Sequence, residues 1–173
     1  MARSRARRRS DARSRILSQG LTAGLIGYTA LALLVALADV LGGASPVRTA
    51  SVLGASLFYG VTDPAELALE PAYVVAYNVA HLLVFLMLGV LASALTALAD
   101  RRNHLWFVSA CFHLFIAFHA IAFVQALSEE MEELVAARTI WAGGIAASLA
   151  MAGYVVWTHP RMRRSPGWAA WGP

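Results

Sequence analysis

Three histidines lie inside long apolar stretches of this sequence, where an ionisable side chain indicates a function by default. His81 falls in the stretch 72–98, and His113 and His119 fall in the stretch 105–127. Only a short connection separates the two stretches, so the helices that they predict must be antiparallel neighbours. In such a hairpin, residues whose numbers sum to about 202 lie at the same depth, at a rise of about 1.5 Å per residue. The spacing therefore predicts that His81 and His119 lie side by side, in the half of the hairpin away from its turn.

The same register predicts a polar layer around this histidine pair. It places Tyr77 near Gln125, with Asn78 one position further along the helix. His113 precedes His119 by six residues and projects about 120° away from it around the helix, so the two cannot both face the preceding helix. The predicted layer consists of Tyr77, Asn78, His81, His119 and Gln125, beside an aromatic wall of Phe85, Phe112, Phe115 and Phe123.

Three chemistries fit these histidines. In the simplest, the imidazoles make interhelical hydrogen bonds, each worth about 0.6–2 kcal/mol, and no cofactor is bound. In the second, His81 and His119 hold a flat cofactor, haem b between two imidazoles or a (bacterio)chlorophyll on one, with His113 as a further candidate ligand. The third is a compact metal or quinone site. Two imidazoles without a neighbouring carboxylate or thiolate are few ligands for zinc or copper, so we expect no such metal site.

Other candidate groups are sparse. The acidic run Glu129, Glu130, Glu132 and Glu133 lacks the loop spacing of a dedicated Ca²⁺ site and predicts an external patch for docking a basic partner. The single cysteine, Cys111, excludes an intrachain disulfide and is interpreted as a small packing residue. No catalytic constellation and no phosphate-binding loop appears in the sequence, so we expect no enzymatic activity.

Four apolar stretches and the charges between them predict the elements that position these residues. Hydrophobic residues make up 59% of the chain, and the mean hydropathy is +0.61, above the range of soluble domains. Each stretch is near the ~20 residues that a helix needs to cross a bilayer. Of the fourteen arginines, all but Arg48 and Arg138 precede the first stretch, follow the last or lie between the second and third. The stretches are Ile16–Leu41, Ala72–Leu98, Leu105–Leu127 and Ile140–Thr158.

By the positive-inside rule, this distribution places both termini in the cytoplasm and the acidic loops outside. The predicted fold is all-α, an integral membrane four-helix bundle in a bacterial inner membrane. Its parts are a basic arm (1–15), a transmembrane domain (16–158) and a basic, Trp-containing tail (159–173). The basic arm is too short to be a nucleic-acid module and is expected to meet anionic lipid headgroups.

The first external loop, 42–71, predicts two short helices over the outer ends of the bundle. Thr49–Gly60 is apolar but too short to cross the membrane. Asp63, followed by Pro64, is typical of a helix start. Asp39, near the end of the first helix, is expected to reach the headgroups.

Two helix boundaries are also predicted beyond the hairpin. The third long helix should continue through Ser128–Ala137, because the glutamate-rich run favours helix throughout. Gly143–Gly144 should begin the fourth helix close to the outer face.

The segment Thr49–Phe58, followed by Ala76–Phe85, resembles a pattern in uncharacterised bacterial multi-spanning membrane proteins. The resemblance covers about residues 20–98 and implies no activity. It implies that the external segment and the pair Tyr77 and His81 belong together.

The expected function is a non-catalytic accessory or assembly subunit of a larger inner-membrane complex, respiratory or photosynthetic. Its expected partners are the lipid bilayer and other membrane subunits, and not nucleic acid. The alternative is a haem- or chlorin-binding protein of electron transfer or pigment binding that uses His81 and His119. A small transporter comes third, because the second, third and fourth stretches contain no carboxylate for ion coupling.

Overall fold

The computed structural model describes residues 2–100, 105–125, 127 and 129–159, with the backbone alone described for 2–10, 120, 121, 123, 130 and 132. Within these residues, the regular structure is entirely helical. The elements are α1 (Ala2–Leu41), α2 (Arg48–Tyr59), a 3₁₀ turn (Pro64–Glu66), α3 (Pro71–Ala99), α4 (Trp106–Val124), α5 (Glu129–Glu132) and α6 (Ala137–Thr158).

Three helices are long and apolar enough to cross a membrane, namely α1 from Asp11 onward, α3 and α6. The fourth long helix, α4, has 19 residues and is also strongly apolar. The predicted all-helical membrane class is therefore confirmed at the level of these three helices.

The helices bury several alanines and expose many large apolar side chains, which a soluble protein would bury. Ala23, Ala92 and Ala147 are fully buried. On α3, large side chains point outward at every fourth position and so form one stripe: Val75, Val79, Leu83, Met87 and Leu91. Such a stripe is stable against lipid chains, which are as apolar as the side chains themselves.

Neighbouring long helices run antiparallel. α1 packs against α3 and α6, and α4 packs against α6 and α3. In the α3–α4 hairpin, Thr96 lies opposite Ser109 and His81 lies opposite His119. The residue numbers of these two pairs sum to values just above and just below the predicted sum of about 202. We call the end at which α3 ends and α4 begins the hairpin end, and the opposite end the loop end.

Glycines bring α1 and α3 into backbone contact. An added Cβ at Gly20 would lie 2.5 Å from the Cα atom of Val90. An added Cβ at Gly89 would overlap the Gly20 carbonyl oxygen and the Gly24 nitrogen, and one at Gly24 would overlap the Phe85 carbonyl oxygen. These small residues let two helices approach closely where there is no hydrophobic driving force between them.

The loop end is covered by α2, as the short apolar run predicts. α2 packs on the start of α3, where an added Cβ at Gly54 would overlap the Tyr73 carbonyl oxygen. Asp63 does cap the next turn, since its side chain accepts a hydrogen bond from the Ala65 backbone N–H. That turn is a single 3₁₀ turn, so the prediction of two short helices is correct for the first only.

Asp39, predicted to lie at headgroup level, joins the end of α1 to the start of α2. Its carboxylate accepts hydrogen bonds from the Thr49 backbone N–H (3.0 Å) and the Thr49 hydroxyl (2.7 Å). The chain turns back at Gly43, which has a φ of 76°, and brings the first turn of α2 to the end of α1. A carboxylate there satisfies one of the free N–H groups of α2 and complements its dipole.

The predicted boundaries beyond the hairpin are also wrong. α4 ends at Val124 and the glutamate-rich run forms only the single turn α5. Met131 and Val135 are buried in the core, and this burial overrides the helix propensity of the run. α6 begins at Ala137, not at Gly143–Gly144. Gly144 is instead an internal contact, where an added Cβ would overlap the Ala117 carbonyl oxygen of α4.

Candidate functional site

His81 on α3 and His119 on α4 lie against each other inside the protein. Their ring centroids are 5.8 Å apart, at an interplanar angle of 69°. His81 is 4% exposed and His119 is 9% exposed. The predicted proximity is therefore confirmed, because the short connection between the helices fixes which residues share a depth.

Aromatic rings enclose this pair along one face of α3. Tyr77, His81 and Phe85 are spaced by four residues and contact one another on successive turns. Tyr77 meets His81 edge to face at 4.9 Å, and His81 stacks on Phe85 at 5.2 Å. Phe85 also meets the His119 ring edge to face at 5.3 Å. We call Tyr77, His81, Phe85 and His119 the histidine cluster.

A backbone hydrogen bond orients the His119 ring. Its Nδ1 lies 2.5 Å from the carbonyl oxygen of Ile116. Because a carbonyl only accepts, Nδ1 carries the proton, and in the neutral ring Nε2 then holds the lone pair. The Nε2 atoms of both His81 and His119 are shielded from solvent. A histidine whose other nitrogen donates to a carbonyl has the arrangement usual for a metal ligand.

The rest of the predicted polar layer lies elsewhere. Asn78 belongs to the α1–α3 interface, where its side-chain oxygen accepts from the Tyr28 hydroxyl (2.7 Å) and its nitrogen donates to the Val74 carbonyl (2.7 Å). Gln125 is exposed in the turn after α4. Tyr28 itself was not among the predicted site residues, and its only signal is a hydroxyl in the middle of the first apolar stretch.

His113 hydrogen-bonds within α4 through its ring and to α6 through its backbone, and lies apart from the pair. Its Nδ1 donates to the carbonyl of Ser109 (2.8 Å), and its own carbonyl accepts from the Ser148 hydroxyl (2.5 Å). The 120° separation from His119 predicts this divergence. His113 is therefore not placed to share a ligand with the histidine cluster.

The predicted aromatic wall is only partly present. Phe85 lines the pair, whereas Phe112 and Phe115 stack on each other at 6.0 Å and Phe115 is 56% exposed. The side chain of Phe123 lies outside the described residues. Cys111 is exposed on α4, so its interpretation as a packing residue is wrong.

The acidic patch is described at two positions only. Glu129 and Glu133 are exposed, and the side chains of Glu130 and Glu132 are not described. No group of three or more His, Cys, Asp or Glu in the described ranges is arranged to hold a metal ion.

Comparisons of this chain with protein-family models, with curated proteins and with solved structures found no match. The chemistry of the site therefore follows from its geometry. Two buried imidazoles could supply two nitrogen ligands to a metal in an apolar site. They cannot complete the coordination of a bare ion, which needs at least four ligands.

Proposed function

We propose that this protein crosses a bacterial inner membrane four times, through α1, α3, α4 and α6, with both termini in the cytoplasm. The antiparallel packing of these helices and the outward stripe of large apolar residues on α3 support the crossings. The arginines at the hairpin end and at both termini support the orientation. The test is a cysteine placed at the hairpin end and an impermeant thiol reagent. Labelling of that cysteine only from outside would contradict the proposed orientation.

We further propose that the histidine cluster binds haem b, which His81 and His119 would hold through their imidazole nitrogens. The observation that carries this proposal is the 5.8 Å between the two ring centroids on neighbouring helices. A tetrapyrrole brings four nitrogens of its own and needs only two from the protein. That requirement matches a site with two imidazoles and no third described metal-binding side chain.

The distance between the two histidine rings suits this cofactor. A metal–imidazole bond is about 2 Å long, so two axial rings centre about 6 Å apart. Axial imidazoles rotate about their bonds to the metal, so the 69° between the ring planes is compatible with ligation. The Ile116 carbonyl would fix the orientation of His119. Tyr77 would pack beside the cofactor, whereas Phe85, 5.2 and 5.3 Å from the two imidazoles, would have to turn aside to admit the macrocycle.

A haem with two protein ligands supplies one-electron transfer and has no open position for a substrate. The role of this chain would then be to hold the iron in an apolar, water-poor site in the loop-end half of the protein. His81 and His119 would stabilise both oxidation states of the iron without a change of ligand. The proposed function is therefore electron transfer rather than catalysis.

A second function rests on the same rings. His81, Phe85 and His119 touch one another directly, which also suits a closed interhelical contact without a cofactor. The protein would then be an accessory or assembly subunit of a larger membrane complex. Glu129 and Glu133, exposed at the loop end, would contribute to its docking surface.

The absorption spectrum of the protein, purified from haem-supplied cells, separates the two functions. We expect a Soret band in the wild type and in a His113→Gln control, and its loss in His81→Leu and His119→Leu. The histidine-to-leucine variants should still fold, since a buried interhelical contact is worth only about 1 kcal/mol. A wild-type protein without visible absorption would overturn the haem proposal and leave the accessory role.

A further inference from the structure

We infer that the hairpin end contains a water-filled inlet that carries protons from the cytoplasm to Ser93 and His113. The inlet is separate from the histidine cluster, which lies in the other half of the protein. Its assignment to the cytoplasmic side rests on the proposed topology.

The mouth of the inlet is a cleft between three helices. It has a volume of about 320 Å³ and is open to solvent. Its polar lining comes from α1, from the end of α3 and from the residue after α6: Asp11, Arg15, Gln19, Asp100 and His159. Two carboxylates, a guanidinium, an amide and an imidazole make this a polar opening that water can enter.

Three polar atoms at this end are shielded from solvent, and each lacks a hydrogen-bond partner among the described residues. They are Oδ1 of Asp100, Oγ of Ser93 and Nε2 of His113. Ser93 is 0% exposed. Buried polar atoms of this kind are normally satisfied by ordered water, which makes about three hydrogen bonds to such groups.

Asp100 lies at the cleft, and Ser93 and His113 lie deeper in the protein. Ser93 precedes Asp100 by seven residues and His113 follows Trp106 by seven, so each lies about 10 Å along its helix from the hairpin end. Between the cleft and this depth, the buried hydroxyls of Thr96 and Ser109 are 3.1 Å apart across the two helices.

The polar groups continue from there to the imidazole. His113 Nδ1 donates to the backbone carbonyl of Ser109, so the imidazole lies one helical turn beyond the hydroxyl pair. Hydroxyls, an imidazole and water can pass protons between them, and histidine serves as a proton shuttle in other proteins. The structure thus assigns to His113 an exchange of protons with the cytoplasm rather than a ligand role.

Asp100 lies at the mouth of the inlet, where one of its carboxylate oxygens is shielded from solvent. It follows the last residue of α3 and meets the negative end of the helix dipole. Its backbone N–H donates to the Thr96 carbonyl at 2.8 Å, which holds the side chain at the mouth. A hydrated cleft stabilises the charge there.

Thiol exchange in single-cysteine variants tests the inlet. In a Cys111→Ala background, Ser93→Cys and His113→Cys probe the inlet, and Ala92→Cys is the matched control. Ala92 is also 0% exposed and lies at the same depth, but it projects to another side of α3. The infrared S–H band of each variant is followed after transfer of the protein, in vesicles, to D₂O.

We expect the S–H band of Ser93→Cys and His113→Cys to exchange at least tenfold faster than that of Ala92→Cys. Silver ions added from the cytoplasmic side should remove the Ser93→Cys band and spare the control. Equal exchange in Ser93→Cys and Ala92→Cys would overturn the inlet. Reaction with silver only from outside would support the inlet and overturn the orientation, so the two failures are distinguishable.

Discussion

The two faces of α3 hold their neighbours in different ways. Toward α1, the contact is made by backbone, because Gly20, Gly24 and Gly89 leave no room for a side chain. Toward α4, the contact is made by side chains that carry polar atoms, as in the pair of Thr96 and Ser109 and in the histidine cluster. The α1–α3 interface is closely packed, and the α3–α4 interface contains the candidate functional residues.

The difference shows how a small membrane protein can place polar groups inside itself. Association of helices in lipid depends on close packing and on a few hydrogen bonds, each of modest free energy. The α1–α3 contact supplies the close packing and leaves the α3–α4 interface able to hold imidazoles and hydroxyls. We therefore expect changes at the first interface to affect stability most, and changes at the second to affect function most.

The largest expected effect is that of Gly89→Ala. The new methyl group would overlap backbone atoms of Gly20 and Gly24, so α1 and α3 must separate. Overpacking of this kind costs about 1–3 kcal/mol of unfolding free energy, measured in detergent by titration with a denaturant. Gly153→Ala is the control, since a Cβ there meets nothing within 4 Å. It should be neutral or slightly stabilising, because alanine is the better helix former. Equal losses in both variants would contradict the closed interface.

A smaller effect is expected from Tyr28→Phe. This change removes the 2.7 Å hydrogen bond to Asn78, a polar contact in the otherwise closed α1–α3 interface. We expect a loss of about 1 kcal/mol in the same titration. The control is Tyr154→Phe on α6, for whose hydroxyl the described residues provide no hydrogen bond. A loss as large as that of Gly89→Ala would mean that hydrogen bonding, not close approach, dominates this interface.

The smallest expected effect is the coupling between Thr96 and Ser109. A double-mutant cycle with Thr96→Val and Ser109→Ala should give a coupling free energy of about 0.6 kcal/mol, typical of interhelical hydrogen bonds in membranes. Additive losses would show that the 3.1 Å contact between the hydroxyls does not bridge the two helices.

The histidine pair could be predicted from the sequence because one short connection sets the register of α3 and α4. Depth along a helix follows from residue number, and depth alone brings His81 to His119. The rotation of α4 could not be predicted as well. That helix is apolar all round, so no periodicity indicates which of Phe112 and Phe115 points outward.

Contacts between elements far apart in the chain could not be predicted from the sequence. Nothing local connects Tyr28 to Asn78, which pair across fifty residues. The end of α4 was missed for a related reason. The glutamate-rich run favours helix locally, but burial of Met131 and Val135 beneath the loop end breaks it. Tertiary packing decides both the Tyr28–Asn78 contact and the end of α4. The helix propensities of single residues carry no information about such packing.

The hydrogen bonds from Thr49 to Asp39 bear on the order in which the chain folds as it is made. They close a loop of ten residues, whereas the bond from Arg48 to the Leu134 carbonyl closes one of 86. The longer closure costs about 2 kcal/mol more chain entropy. α1 and α2 can therefore join before α3 leaves the ribosome. The loop end is completed only when the segment that contains Leu134 arrives.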